Sequence, residues 1–171
     1  MFPGGRSVTL AETTGPSESF MNIRPARPDD AAAISAMLTA LTEAGLRTRP
    51  SDEAFVRESY IGNPQGISCL IAEEAGAVIG LQVLSRMQEG NEWGITPGEG
   101  SIGTHVHPEA ERRGIARSLL ARTLPLAREA ALPGIVATIG ADNALGLAYY
   151  EAMGFSTIEE RDGRVLKRLA L

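Results

Sequence analysis

The chain is poor in cysteine, histidine and aromatic residues, and it has no excess of positive charge. With one cysteine in 171 residues it cannot form an internal disulfide. That residue, Cys69, lies in the apolar run 67–72 and reads as a small buried hydrophobe. A catalytic thiol would need a paired histidine, and neither His105 nor His107 sits in a recognisable partner motif. Two histidines and one cysteine supply no ligand-spaced cluster, so no metal is expected. The formal net charge is −5. Nucleic acids and anionic membrane surfaces are met by basic footprints, so neither is expected as a partner. No run approaches the ~20 apolar residues that span a bilayer. Residues 1–20 lack the apolar centre of a signal peptide, and a cytoplasmic location is the expectation.

What is present describes a globular fold. Apolar residues make up 43% of the chain and charged residues 22%, enough apolar material for the core of one domain. Residues 1–20 are rich in Gly, Ser, Thr and Pro and read as a flexible extension. Residues 21–171 read as a single folded domain. A short strand over 22–26 precedes Pro28, Asp29 and Asp30, which suit a helix start. Ile34, Met37, Leu38 and Leu41 then recur at helical spacing, and Gly45 can close that helix. A second short helix is predicted over 51–61, capped by Ser51. Strands are predicted over 67–73, 78–87 and 101–107, with a Gly- and Pro-bearing loop at 88–100 between the last two.

After Pro108 comes a helix with Ile115, Leu119 and Leu120 on one side. Pro125 removes an amide donor and clashes with the preceding turn, which costs ~3 kcal/mol in a helix interior. A kink or break near Thr123 is therefore expected, with Gly134 ending the unit. A strand over 135–139, a helix from Asp142 and Asn143 to Gly154, and strands over 155–159 and 164–169 complete the chain. This order implies an α/β fold with helices packed on a mixed sheet.

One segment carries chemistry. From Thr104 to Arg117 a strand ends at Pro108, a loop of small and basic residues follows, and an amphipathic helix begins. The first turn of a helix presents free amides and about half a positive charge, and it binds phosphates readily. Gly114 and Ala116 lack bulk, so a diphosphate can approach the backbone. Arg112, Arg113 and Arg117 add local positive charge. An ordinary solvated helix start with surface arginines fits these residues as well. A P-loop is excluded, because no Gly-Lys-Ser or Gly-Lys-Thr follows, and the dinucleotide glycine spacing is missing.

The segment resembles the GNAT superfamily of acyl-CoA-dependent N-acetyltransferases. The loop of that family has the pattern Gln/Arg-x-x-Gly-x-Gly/Ala, and here it reads Glu111-Arg112-Arg113-Gly114-Ile115-Ala116 after Val106-His107-Pro108. Glutamate stands at the first position, where the family has glutamine or arginine. A second family motif is present in Asn143, Tyr150, Glu151, Gly154 and Phe155. Ile23-Arg24-Pro25-Ala26 and Asp30 are similar to the first strand and helix of the family. The resemblance spans about residues 22–171.

It implies a mixed, mostly antiparallel central sheet with helices on both faces and a splayed central strand pair. It implies acetyl-CoA as cofactor, held by Val106, Arg112, Arg113, Gly114, Ile115, Ala116, Arg117, Asn143 and Tyr150. Tyr150 matches the general-acid position of the family, and a phenol is protonated at rest. The other reading of Tyr150 is a core aromatic beside Tyr149; that of Asn143 is a helix cap. Glu99 and His105 are the candidate bases, six residues apart and expected on one side of a strand. Trp93 and Tyr60 are candidates for the acceptor pocket, with a lid or dimer contact as the other reading of Trp93. The implied activity is acetyl transfer to a primary amine of a small molecule or amino acid. The alternatives are acetylation of a protein N-terminus or lysine, and a non-catalytic acyl-CoA-binding sensor. Many relatives dimerise, so a homodimer belongs to the same expectation.

Overall fold

The computed structural model describes residues 20–171; the extension expected over 1–20 lies almost wholly outside them. One seven-stranded sheet organises the chain, in the order β1-β2-β3-β4-β5-β7-β6. The strands are β1 (Asn22–Pro25), β2 (Gly66–Glu74), β3 (Ala77–Arg86), β4 (Gly100–Val106), β5 (Gly134–Gly140), β6 (Ser156–Arg161) and β7 (Arg164–Ala170). Every neighbouring pair is antiparallel except β4 and β5. Helices α1 (Ala31–Glu43), α2 (Glu53–Phe55), α3 (Ile115–Glu129) and α4 (Ala144–Ala152) surround it. The expected α/β class, mixed and mostly antiparallel, is the one observed.

Alternation along the strands sorts the core into two sides. On one side Ile34, Met37, Leu38 and Leu41 of α1 pack on Ile71 and Leu81. On the other, Ile115 and Leu119 of α3 pack on Leu70 and Ala72. Leu120 and Tyr150 join Leu84, Ile102, Ile135, Ala137 and Ile139 on that same side. β2 and β3 are covered on both faces, which explains their near-continuous apolar runs.

Local signals failed in three places. The cap of α2 is Asp52, which accepts from the Phe55 amide at 2.9 Å, not Ser51. Ser51 instead pairs its hydroxyl with Thr39, and the helix widens into a π turn over Val56–Ile61. Helix α3 runs unbroken through Pro125. Pro125 and the Ala121 carbonyl that it frees lie on the exposed side, where water replaces the lost bond, while Leu119, Leu120, Thr123 and Ala127 anchor the buried side. The left-handed residue that ends this helix is Ala131 (φ 54°), not Gly134, which opens β5. Cys69 is half-buried rather than buried, and its surroundings push its thiol up to about 12, chiefly by desolvation. It stays protonated and unreactive at neutral pH.

Arg24 fastens β1 to its neighbours. Its guanidinium donates two bonds of 2.8 Å to Asp30 and reaches Glu73 at 3.0 Å. The bonds from Arg24, with a weaker one from the Arg27 amide, hold the Asp30 carboxyl down to about 2. A carboxylate depressed in the fold stabilises it fully above its ordinary value of 3.8, and that stabilisation is lost as pH falls towards 2. Urea midpoints measured across this window are expected to fall in wild type. The fall is expected to be shallower in Arg24→Met; equal slopes would mean that the ion pair contributes nothing.

Candidate active site

The sheet splits at its centre. Parallel β4 and β5 pair only at Gly100↔Ile135, Ser101↔Val136 and Ile102↔Ala137. Beyond Ile102, β4 continues to Val106 with β3 on one side and no ladder partner on the other. Thr138 to Gly140 of β5 likewise face β7 alone. Unpaired strand edges leave backbone donors and acceptors free for an extended ligand arm. Both strands leave the split at their carboxyl ends, the position where open α/β sheets bind ligands.

Each strand leads from the split into a helix. After β4, His107 accepts from the Glu109 amide, and a single turn over Pro108–Ala110 leads to the loop 111–114. Gly114 sits in the left-handed region (φ 76°, ψ 13°) and starts α3 with no side-chain cap. The amides of Ile115, Ala116 and Arg117 thus remain available for an anion. A Cβ at Gly114 would meet nothing within 4 Å, so the cradle is open. Arg112 (φ 62°) and Arg117 are exposed around it. Arg113 is engaged elsewhere, donating to Glu74 at 2.7 Å. The Ile115 side chain is buried against the sheet, leaving only its backbone for the cradle. After β5, Asn143 caps α4 by accepting from the Gly146 amide at 2.9 Å.

Tyr150 lies inside, 6% exposed, with its hydroxyl 2.9 Å from the Thr104 hydroxyl on the unpaired part of β4. Thr104 also accepts from the buried Gln82 amide at 2.9 Å. Tyr149 donates to the Ala116 carbonyl and ties α4 to the start of α3. Burial raises the Tyr150 hydroxyl well above the usual phenol range, outweighing the bond from Thr104. It is a proton donor at working pH. The sequence motifs assign Thr104 and Gln82 no role of their own. A glutamine inside the apolar run Gly80-Leu81-Gln82-Val83-Leu84 was the available signal, since buried amides need partners.

His105 points to the other side of the sheet, opposite Thr104 and Tyr150. Its ring lies 6.2 Å from that of Tyr60. Burial first, then the charges of Arg47 and Arg49, lower it to about 4, so it is a neutral imidazole at pH 7. Glu99 precedes β4 and accepts from Arg168 at 2.9 and 3.1 Å. Trp93 lies under two guanidinium groups, Arg49 at 4.8 Å and Arg164 at 5.0 Å from its ring centre.

Residues 34–155 match the Acetyltransferase (GNAT) family. The chain belongs to that family. No curated protein matches it. Solved structures that resemble it include a GNAT family acetyltransferase from Brucella melitensis in complex with acetyl-CoA. That protein is 27% identical over 90% of this chain and 89% of its own, with a TM-score of 0.67. A GCN5-related N-acetyltransferase from Kribbella flavida is 18% identical over 88% and 98%, with a TM-score of 0.71. The putative acetyltransferase yncA from Salmonella typhimurium, solved with acetyl-CoA, is 23% identical over 88% and 93%, with a TM-score of 0.65. The splayed pair and the open cradle of this GNAT chain therefore belong to an acetyltransferase fold. Among the described residues no three side chains could hold a metal ion, and no helix is long and apolar enough to cross a membrane.

Proposed function

We propose that the chain is an acetyl-CoA-dependent N-acetyltransferase acting on a primary amine of a small molecule or amino acid by direct attack. The observation that carries this reading is the split beyond Ile102↔Ala137, with an uncapped helix start at its mouth and a protonated tyrosine on its wall. The open cradle and the unpaired strand edge fit a diphosphate joined to a long amide-bearing arm. Acetyl-CoA would bring the activated acetyl thioester.

The chain's own residues divide the work. The amides from Gly114 to Arg117 hold the diphosphate, with Arg112 and Arg117 adding charge. The backbone of β4 near Val106 holds the arm as an added strand and directs a donor at the carbonyl oxygen, where charge develops. Asn143 stands at the same mouth. Tyr150 holds the proton that the departing sulfur needs. An amine attacks only when neutral, and free alkylamines sit near 10.4. Neither candidate base is poised for that proton: burial and the charges of Arg47 and Arg49 hold His105 at about 4, a weak acceptor, and Glu99 is engaged by Arg168. Holding amine and thioester together supplies much of the remaining rate.

Calorimetry with acetyl-CoA and desulfo-CoA tests the cofactor assignment. Micromolar binding is expected. The pairing of Arg113 with Glu74 leads us to expect that Arg113→Ala weakens it by only about threefold, the scale of an exposed ion pair. The double change Arg112→Ala, Arg117→Ala is expected to weaken it by at least about tenfold, since each removes a charge beside the phosphates. Absence of binding at millimolar acetyl-CoA would sink the proposal.

A further inference from the structure

We infer that the recess beside Trp93 is an anion site, and that the amine acceptor is a small molecule bearing a carboxylate, such as a free amino acid. This rests on the acetyltransferase reading above and specifies its acceptor.

The recess measures about 310 Å³ and is lined in part by Asn91, Trp93, Thr138, Arg161, Arg164 and Leu166. It lies on the reactive side of the split. Thr138 is the first residue of β5 past the last pair with β4, Ile102↔Ala137. Its neighbours Val136 and Leu166 pack with Ile95 and Trp93, away from the Tyr150 side. His105 occupies that same side of the sheet, through Tyr60 and Leu81. An acceptor in the recess therefore sits beside the split, across from the proton donor.

In a chain of net charge −5, Arg161 and Arg164 line the recess, and Arg49 lies over the ring of Trp93 in its wall. Glu92 and Asp162 also line the recess; Glu92 meets Arg49 at 3.4 Å, and Arg161 is met by Glu159 at 3.1 Å. Among the described residues Arg47 and Arg164 have no carboxylate within 4.0 Å. Arg47 is 8% exposed and donates to the carbonyls of Arg49 and Pro50 and to Tyr60. It thereby fixes the backbone that carries Arg49 over Trp93. Arg164, over that ring, keeps its planar fork free for a carboxylate, while Arg49 on the same ring meets Glu92 only at 3.4 Å. A second, independent sign is the Thr138 hydroxyl, buried in the wall with no hydrogen-bond partner. An orphaned buried hydroxyl in the same lining as the unpaired Arg164 guanidinium fits a ligand oxygen better than an apolar group.

The chain has one tryptophan, so its fluorescence reports on this recess directly. The probes are the standard amino acids, their carboxamides and their decarboxylated amines. Saturable quenching is expected with acids and not with the matched amides, and it is expected to be lost in Arg49→Gln and Arg164→Gln. In thiol-release assays the preferred acid is expected to exceed its amide in kcat/KM by roughly tenfold, the scale of one charge-assisted bond. That ratio is expected to collapse towards one in both glutamine variants and to survive in part in Arg164→Lys. Equal use of acid and amide overturns the inference and leaves the acetyltransferase reading standing. If no amine of either series is acetylated, the fluorescence titration alone judges the site: quenching by acids only keeps it, and its absence ends it.

Discussion

Replacing Tyr150 with phenylalanine is expected to lower kcat by about 100-fold or more, with acetyl-CoA affinity unchanged within about threefold. Positioned acids contribute ~10²–10⁴ in rate, so loss of the phenol should register on that scale. The change isolates the proton because the ring stays packed. Its neighbours Tyr149 and Phe155 lie at 4.8 and 5.0 Å between ring centres. Thr104 loses one partner but keeps Gln82, which limits the stability cost to about 1 kcal/mol. Thiol release measured beside calorimetry separates the effects. A phenylalanine variant within threefold of wild type would make Tyr150 a core aromatic, with another group protonating the sulfur.

Gly80→Val is expected to destabilise the fold by ~1–3 kcal/mol, the usual range for overpacking, and to weaken acetyl-CoA binding by more than about tenfold. A Cβ at Gly80 would lie 2.6 Å from Cγ2 of Ile115 and 3.2 Å from Cδ1 of Leu119. Ile115 is the first residue of α3 and is branched at Cβ, so it cannot swing clear without moving the backbone. Its amide belongs to the phosphate cradle. The absent side chain at Gly80 thus sets how close the helix start sits to the split. Thermal melts and calorimetry on Gly80→Ala and Gly80→Val check this, with graded losses expected in both. Stability lost without any loss of affinity would uncouple the sheet contact from the cradle.

Part of this candidate site is legible in the sequence through its resemblance to the GNAT family, since the Gly114 loop and the Asn143 to Phe155 stretch match two family motifs. Local chemistry alone reads them as a small-residue, basic helix start and a helix closed by Gly154. Spacing alone also paired Glu99 with His105, but said nothing about what either would touch. The structure gave Glu99 to Arg168 and left His105 beside Tyr60. Arg113 read as a phosphate ligand from its place in the loop. It pairs instead with Glu74, 39 residues earlier in the chain. The contact between Gly80 and Ile115 has the same character, since no short pattern links those positions.

The sequence by itself determined the element order and the α/β class, because hydrophobic period, capping and turn chemistry act over a few residues; the two motifs stand out through the family resemblance. Tertiary structure decided the rest. It carried α3 through Pro125, because packing on one side of the helix outweighs one lost bond that water can replace on the other. It also brought Arg49, Trp93, Thr138 and Arg164 together at one recess, from segments up to 115 positions apart. Strand pairing and face alternation fix such juxtapositions, and both depend on partners distant in the chain.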